Sequence, residues 1–476
     1  MIMKGIKFSG LFFVFLLLSA CTSIPKQDSA GEVNHILREH GVEPQVSEPS
    51  NSKEKLESLI SENISLNDSI QIALINNAKL NQTYASLGIA KADMYEAMRI
   101  RNPVFSFSQL NSNQSGEKDL VTLGLITSLS DLITRPSRKA LAEAQFAAMK
   151  KSMAVDILSI LNQVQSSFYM HAAALQVEAL KQKQYETARL AAQLSERYHQ
   201  AGNFSARENL EIKSKASTAF FEYFDAKSKA LSSRKDLANK LGLNIADSWK
   251  INSQLAIPSV SKTDVKDFQN TAMQSRLDLI VARSKADALA KKLGIVNWTR
   301  HLSDIDIGIE REREPDGAKL TGPSLEWEIP LFSRNTEKLR LSGEFKQSIL
   351  EVQKMTLAIQ NEVHANYLKT IGAQELIHEY QHNFIPIQTA IVSSTQKEEN
   401  FMLIGTFELL ETKQQEYESY VGYIKALQVY WTAYSDLMYA AGDSLHIPIS
   451  DEKEVFNIED YLISKQPVND HAHMHQ

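Results

Sequence analysis

Glu208-Asn209-Leu210-Glu211-Ile212-Lys213 has a counterpart 200 residues later, Glu408-Leu409-Leu410-Glu411-Thr412-Lys413, and this recurrence decides the fold. Neighbouring residues recur at almost the same displacement: Leu241-Gly242 is matched by Ala441-Gly442, and Ala73-Leu74 by Ala272-Met273. Low identity with preserved spacing is typical of an old internal duplication. Each half therefore predicts the same series of elements: a helix, two short strands, one very long helix and a returning helix.

The long helices are predicted by the absence of helix breakers. Residues 137–200 contain neither Gly nor Pro, and at about 1.5 Å per residue a helix of this length extends roughly 96 Å. Its apolar positions are rich in Ala and Leu, as in helices packed side by side in a coiled coil. Ala201-Gly202-Asn203 predicts a tight reversal, and a second helix returns from about Ser205 to Leu241.

The second half repeats this helical pair less cleanly. Its long helix is predicted from about Asn335 to Asn400 and its returning helix from Thr406 to Ala441. Pro386 lies inside the long helix, so we expect a bend or local fraying there.

Two pairs of short segments alternate between apolar and polar residues, which is the period of a β-strand. We predict strands near 104–110 and 120–129 in the first half, and near 304–311 and 323–330 in the second. In the second half Ile305, Ile307 and Ile309 alternate with Asp306, Gly308 and Glu310. About nine residues is the length of a tilted strand that spans a membrane.

Four such strands cannot close a barrel. An open sheet edge in lipid leaves backbone N–H and C=O groups unpaired, and membrane barrels begin at about eight strands. Two chains would supply eight strands and three chains twelve, and only the larger barrel leaves an open lumen. The alternative is a small sheet in a soluble protein.

The N-terminus has the three-part build of a secretory signal. Lys4 and Lys7 precede an apolar run over residues 11–18, and Leu18-Ser19-Ala20-Cys21 resembles the bacterial lipobox. We therefore predict a lipoprotein signal peptide over 1–20, acylation of Cys21 and a lipid-anchored polar tether over 21–63. Thr22, by the same resemblance, favours sorting to the outer membrane. The alternative is an ordinary signal peptide with an incidental cysteine.

The net charge of −6 is mild for 476 residues, and no basic run is present. This composition excludes nucleic acid as a partner.

The chain resembles the TolC family of outer-membrane efflux proteins. The resemblance covers about residues 64–443. The residues that carry it are Ser65-Leu66, Ala73-Leu74, Asn77, Leu80, Arg197-Tyr198, Ala201-Gly202, Ser205, Gly322-Pro323-Ser324-Leu325, Ile329-Pro330-Leu331-Phe332 and Phe407-Glu408-Leu409-Leu410-Glu411. The phrase Ile329-Pro330-Leu331-Phe332-Ser333-Arg334-Asn335 is most similar to the heavy-metal branch of CzcC and CusC types.

The resemblance implies a mainly α fold with a membrane β-barrel. Three chains would form a twelve-stranded barrel continued by a periplasmic α-helical tunnel, docked onto a periplasmic adaptor and an inner-membrane pump of the RND type. It divides the chain into repeat 1 (64–243), a linker (244–263), repeat 2 (264–443) and a polar, His-containing tail (444–476).

The resemblance also implies the site residues. Glu408 and Glu411 would line the periplasmic gate, where three-fold symmetry gives a ring of six carboxylates. Two carboxylates about 6 Å apart repel by roughly 3 kcal/mol at an effective dielectric near 20, so such a ring would attract cations. The alternative is two solvated surface glutamates, which is our interpretation of Glu208 and Glu211.

Adaptor contact is assigned to the tip turns. The residues concerned are Arg197, Tyr198, Gly202, Ser205, Leu403 and Gly405. The chain departs from the family in the second turn, where Met402-Leu403-Ile404-Gly405 stands in place of an early Gly.

Three further patterns point to cations. If the isoleucines face lipid, Asp306, Glu310, Glu326 and Glu328 would face the lumen; the alternative is a merely polar wall. His471, His473 and His475 form a weak candidate metal site, or else a hydrophilic end. His378-Glu379-Tyr380-Gln381-His382 matches H-E-x-x-H, a zinc-protease motif. The match is interpreted as a coincidence, because the motif lies in the repeated long helix and Pro386 follows closely.

We therefore expect an exit duct in the outer membrane, without enzymatic activity or cofactor, that exports heavy-metal cations such as copper, silver, zinc, cobalt or cadmium. Drug efflux and type I protein secretion through the same fold are the alternatives. A lipid-anchored zinc protease using His378, Glu379 and His382 is a remote one, and a periplasmic coiled-coil adaptor with a single hairpin is another.

Overall fold

The computed structural model describes residues 29–42, 49–60, 63–111, 118–258, 264–299, 305–328, 335–443 and 455–456. The predicted signal peptide, Cys21, most of the 329–335 phrase, and His471, His473 and His475 lie outside these residues. The chain divides into two compact units. The first comprises Met1–Val33, Tyr84–Lys151 and Val281–Leu350, and the second Asn34–Thr83, Ser152–Ile280 and Glu351–Gln476.

Helices dominate the described residues. In chain order they are α1 (Ser29–Glu39), α2 (Pro49–Ile60), α3 (Leu66–Asn76), α4 (Ala78–Met98), α5 (Leu129–Gln200), α6 (Ala206–Leu241), α7 (Val265–Ser275), α8 (Leu277–Thr299), α9 (Asn335–Glu379), α10 (Ile385–Asn400) and α11 (Thr406–Ala441). A π-helical turn, Tyr380–Phe384, joins α9 to α10. In this part of the chain, none of the helices combines the length and the hydropathy needed to cross a bilayer.

The strands form one four-stranded sheet and two short pairings. They are β1 (Asn63–Ile64), β2 (Val104–Leu110), β3 (Leu120–Ser128), β4 (Lys250–Ile251), β5 (Leu255–Ala256), β6 (Ile305–Arg313), β7 (Lys319–Trp327) and β8 (Val455–Phe456). The large sheet is antiparallel throughout, in the order β2-β3-β6-β7, so the two hairpins pair through β3 and β6.

The predicted duplication is visible element by element. The series from α3 to α6 is repeated by α7 to α11, and both returning helices end in a left-handed glycine, Gly242 at φ 71° and Gly442 at φ 66°. Asn77 and Arg276, the C-caps of α3 and α7, each donate to the last turn of the returning helix. Asn77 Nδ2 lies 2.6 Å from the Lys240 carbonyl and Arg276 Nη1 3.1 Å from the Ala440 carbonyl. The repeat thus preserves tertiary contacts as well as spacing.

The first long helix begins at Leu129 rather than at residue 137, with Pro136 inside it. A proline removes one backbone donor and disfavours the turn before it. Here that turn is held by side chains: Arg138 Nη2 donates to the Asp131 carbonyl at 3.2 Å, and the Asp131 N–H points at Ser128 Oγ, 3.4 Å away. The helix therefore starts where β3 ends.

The second hairpin is displaced from its predicted boundaries. β7 begins at Lys319, four residues before the predicted start, because the chain reverses tightly between Glu314 and Ala318. The Glu314 N–H donates to the Ala318 carbonyl at 3.0 Å, and Gly317 takes φ 97°. Residues 329 and 330, predicted to end this strand, lie outside the described part of the chain. The first hairpin agrees with its prediction.

The segment predicted as a polar tether contains α1, α2 and β1. Val33 and Leu37, four residues apart on one face of α1, are fully buried, so this face packs against the protein. β1 pairs in parallel with β4 of the predicted linker, and β8 of the predicted tail pairs with β5. Three segments of polar composition therefore contain short strands that pair with residues far away along the chain.

Near Pro386, where we expect a bend or local fraying, the structure has the hydrogen-bonded π-helical turn, and α10 continues beyond it. Pro386 lacks the N–H that an α-helix needs at that position, and the Ile385 N–H bonds to the Tyr380 carbonyl five residues earlier. The Tyr380 ring then lies over Gly422 of α11, where a Cβ would meet the phenol oxygen at 2.3 Å.

Candidate functional site

The four-stranded sheet has one strongly apolar face. Strand alternation and register place its large apolar side chains together. They are Phe105, Phe107, Leu123, Leu125, Ile307, Ile309, Leu325 and Trp327. All are exposed, six of them by more than half. A contiguous exposed apolar surface of this kind marks a membrane or protein contact.

The opposite face is polar and acidic. Asp306 lies directly opposite Glu326, Gly308 opposite Ser324, and Glu310 opposite Gly322. Glu328 follows the end of β7 and is exposed. Like charges directly opposite each other destabilise a sheet, so the Asp306–Glu326 pair calls for water or cations on this face. The structure brings Asp306, Glu310 and Glu326 together as the alternation predicts.

The sheet is open at both edges. β2 and β7 are the outer strands, and among the described residues neither has a partner on its second side. Exposed edges of this length are templates for pairing with another chain.

Sequence reasoning missed an ion network where the sheet meets α5. Arg101 Nε donates to Asp131 Oδ2 at 2.8 Å, and Arg138 Nη2 lies 3.4 Å from Asp131 Oδ1. Burial alone would raise the pKa of Asp131, but its hydrogen bonds from Arg101 and the charge of Arg138 outweigh burial and lower it. No sequence pattern indicates that Arg101, just before Asn102-Pro103, pairs with Asp131, which follows a strand.

The two tip turns have the same backbone geometry. In the first, Gly202 takes φ 81°, and in the second Met402 takes φ 60° at the equivalent position. The hydrogen bonds also correspond: the Asn203 N–H bonds to the Tyr198 carbonyl at 2.8 Å and the Leu403 N–H to the Glu398 carbonyl at 2.9 Å. A non-glycine residue here costs roughly 1–2 kcal/mol, and such strain is typical of functional positions.

The six residues predicted for the tip are gathered at these turns. The Tyr198 ring contacts the Phe204 ring in a tilted arrangement and the Phe407 ring edge-on, at ring-centre distances of 5.4 and 5.9 Å, and so joins the two tip turns. Arg197 lies in the last turn of α5, Ser205 and Gly405 are the N-caps of α6 and α11, and Leu403 is 74% exposed. Sequence reasoning missed the neighbours of Leu403: Phe401 and Met402 are 77% and 91% exposed.

Glu408 and Glu411 lie on the first turns of α11, and both are exposed. Glu411 Oε2 accepts a hydrogen bond from Lys215 of α6 at 3.0 Å. Glu408 has no ion-pair partner among the described residues, whereas its equivalent Glu208 is bonded by the side chain and backbone N–H of Ser205. These bonds lower the pKa of Glu208. The difference arises because Gly405 stands where repeat 1 has the capping Ser205.

The H-E-x-x-H stretch spans the junction of α9 and the π-helical turn. The imidazoles of His378 and His382 face each other with ring centres 4.2 Å apart. Glu379 accepts a hydrogen bond from Asn383 Nδ2 at 2.7 Å. All three motif residues are exposed, so the arrangement has no enclosed cleft for a protease substrate.

No protein-family model matches the chain, and no curated protein matches it. Solved structures do. A membrane protein from Pseudomonas aeruginosa aligns at 14% identity over 79% of this chain and 92% of its own, with a TM-score of 0.66. VceC, an outer membrane protein of Vibrio cholerae, aligns at 14% identity over 80% and 97%, with a TM-score of 0.65. CusC aligns at 12% identity over 80% and 92%, with a TM-score of 0.64.

The chain has a TolC-like fold. The predicted fold class is therefore confirmed, since helix pairs and hairpins repeat in the order expected. The three structural neighbours of this TolC-like chain are a membrane protein, an outer membrane protein and a protein that forms a transmembrane channel. Identity this low establishes the fold alone, and CusC aligns no better than VceC.

Proposed function

We propose that the chain is the outer-membrane exit duct of a tripartite efflux system and acts as a homotrimer. The observation that carries this proposal is the sheet, with an exposed apolar face, an acidic face and two open edges. In lipid, each unpaired backbone group at those edges would cost several kcal/mol. Edge-to-edge pairing of three chains removes all six edges and gives twelve strands around an aqueous lumen.

In this arrangement the apolar face contacts lipid and the acidic face lines the lumen. Asp306, Glu310, Glu326 and Glu328 would then form an acidic wall. The likeness of Leu18-Ser19-Ala20-Cys21 to a lipobox supports acylation of Cys21 as an additional anchor in the outer membrane. Two or more acyl chains hold a protein to a membrane more firmly than one.

The tip turns are the proposed contact for a periplasmic adaptor, with an inner-membrane pump of the RND type beyond it. Phe401, Met402 and Leu403 offer an exposed apolar surface, and apolar patches of this kind favour protein contacts. This surface is held or flanked by Tyr198, Arg197, Gly202, Ser205 and Gly405.

Heavy-metal cations are the proposed substrates. The support comes from the acidic sheet face, from the exposed Glu408 and Glu411 near the tip, and from the CzcC-like phrase. Drug efflux through the same fold is the second candidate, because the chain is no more similar to CusC than to VceC and the fold alone does not single out metal export. Deleting the gene and plating on graded copper, zinc and detergent separates them: lost copper or zinc tolerance supports metal export, and new detergent sensitivity with unchanged metal tolerance supports drug export.

The barrel assignment is tested by placing a charge on the apolar face. Ile307→Arg would put three guanidinium groups into lipid, at about 2–4 kcal/mol per chain near the bilayer midplane. We expect loss of the heat-resistant trimer on a denaturing gel. Glu310→Arg, on the same strand but the acidic face, is the matched control and should leave trimers intact. Normal trimers in the Ile307→Arg variant would refute the barrel.

A further inference from the structure

The paired imidazoles of His378 and His382 have no role in the proposed efflux function. Their rings lie 4.2 Å apart at a 31° angle, and both side chains are exposed. A metal bound by two imidazole nitrogens at about 2.0–2.1 Å requires those nitrogens to be about 3 Å apart. Two rings this close can meet that requirement with only side-chain rotation.

The backbone sets the tautomer of one ring. His382 Nδ1 lies 3.1 Å from the His378 carbonyl oxygen. Because a carbonyl only accepts, Nδ1 carries the proton, and in the neutral ring the lone pair is then on Nε2. A histidine ligand usually donates its second ring N–H to a carbonyl or carboxylate in this way, which orients the ring and makes it a better ligand.

We propose that His378 and His382 form a surface site for one borderline divalent transition metal ion, with Cu²⁺ bound most tightly. Imidazole suits Cu, Ni and Zn, and the usual order of affinity places Cu²⁺ above its neighbours. Glu379, one residue from His378, adds negative charge while Asn383 holds its carboxylate. Water completes the coordination, because no third His, Cys, Asp or Glu joins the pair in the part of the chain that the structure describes.

The site would bridge two kinds of helix. His378 belongs to the last turn of α9 and His382 to the π-helical turn. A shared metal ion therefore links the α-helical and π-helical segments and holds the turn before Pro386 in its present geometry. This consequence does not depend on what the duct exports.

The test uses Cu²⁺ alone and the purified full chain in which His471, His473 and His475 are changed to Ala. Calorimetric titration should give one ion per chain, and electron paramagnetic resonance should show two imidazole nitrogens on the copper. His378→Ala and His382→Ala should each weaken binding by at least about tenfold. His364→Ala is the matched control, since His364 is an exposed histidine on the same helix, and it should leave binding unchanged.

A second measurement tests the bridge itself. Ni²⁺ should slow hydrogen exchange of the backbone amides of residues 380–385 in the parent protein, and should not do so in His378→Ala. The proposal is overturned if His378→Ala binds copper like the parent, if the spectrum shows a single imidazole, or if Ni²⁺ leaves exchange in the turn unchanged.

Discussion

Two features of the structure require glycine at position 242: its left-handed backbone and the close approach of Asn76. Its φ of 71° is left-handed, and a Cβ there would lie 2.4 Å from the Asn76 carbonyl oxygen. Asn76 Nδ2 also donates to the Gly242 carbonyl at 2.7 Å. The glycine therefore ends α6 and lets α3 approach.

Gly242→Ala should lower the free energy of unfolding by about 2 kcal/mol or more, because the left-handed backbone alone costs about 1–2 kcal/mol. The control is Gly372→Ala within α9, where a Cβ meets nothing within 4 Å. That change should raise stability by about 0.5–1 kcal/mol. Urea unfolding of the purified variants measures both, and equal stability would contradict the proposed contact.

His171 is buried, with Ser233 Oγ 3.0 Å from Nδ1 and its ring against Trp249. Burial and the charge of Arg234 lower the pKa of His171 to about 4. Arg234 itself stacks on Trp249 and donates to the Ile245, Asp247 and Trp249 carbonyls. The linker is thereby fastened to α5 and α6.

Acid should weaken this part of the protein. Between pH 6.5 and 4, His171 is protonated in the unfolded chain but neutral in the folded chain. The free energy of unfolding therefore falls as the pH falls. From pH 7 to pH 5 the expected loss is about 2 kcal/mol. Urea midpoints at both pH values measure it. His171→Gln should flatten this dependence and the exposed His364→Gln should not; an unchanged slope in His171→Gln would show that another group titrates.

At the scale of elements, the π-helical turn explains why Gly422 lies inside the returning helix α11. The Tyr380 ring is held between Phe384 and Tyr423, with ring centres 5.8 and 6.4 Å away. It cannot easily swing off Gly422, because both neighbouring rings contact it edge-on. The irregularity in α9–α10 and the glycine in α11 are therefore one packing feature.

Gly422→Ala should destabilise the protein by about 1–2 kcal/mol, since overpacking outweighs the better helix propensity of Ala. In a Tyr380→Ala background the same change should reverse sign and stabilise by up to about 1 kcal/mol. A double-mutant cycle of unfolding free energies measures the coupling. Additive effects would mean that Tyr380 is not the obstacle.

At the scale of the whole molecule, the two repeats share a fold but differ in the bonds that their paired glutamates make near the tip. Glu208, at the third position of α6, completes the capping box with the N-cap Ser205, and Glu211 pairs with Arg207 at 2.9 Å. Glu411 instead reaches Lys215 in the other repeat, and Glu408 has no cap to bind. In a trimer this difference would leave the Glu408 carboxylate available to act on passing ions.

Changing Glu408 and Glu411 together to Gln should lower the cation-over-anion permeability of purified trimers in planar bilayers several-fold, because six charges leave the proposed constriction. Glu208→Gln with Glu211→Gln is the matched control, since Gln also serves in a capping box. The control should keep its selectivity. Equal selectivity in both variants would remove the gate assignment.

Local patterns predicted the elements that depend on local physics. Period-two alternation located four strands, the absence of Gly and Pro located the long helices, and the displacement of 200 residues related the halves. Predicted boundaries were wrong where side chains bond to the backbone of a helix start, as around Pro136, or where a tight turn lengthens a strand, as at Lys319. At the site, alternation sorted the acidic sheet residues correctly, but no pattern indicated the Arg101–Asp131 pair or the strained Met402.

The sequence by itself determined the repeat, the helical pairs and the two-faced strands, because each of these follows from periodicity within one segment. Only the tertiary structure decided what holds the segments together: the caps at Asn77 and Arg276, the pairing of β1 with β4, and the different bonding of Glu208 and Glu408. Some of these contacts join residues that lie far apart along the chain. The others depend on whether the N-cap residue has a hydroxyl group, as Ser205 has and Gly405 has not. Their energies depend on three-dimensional proximity, which residue order does not state.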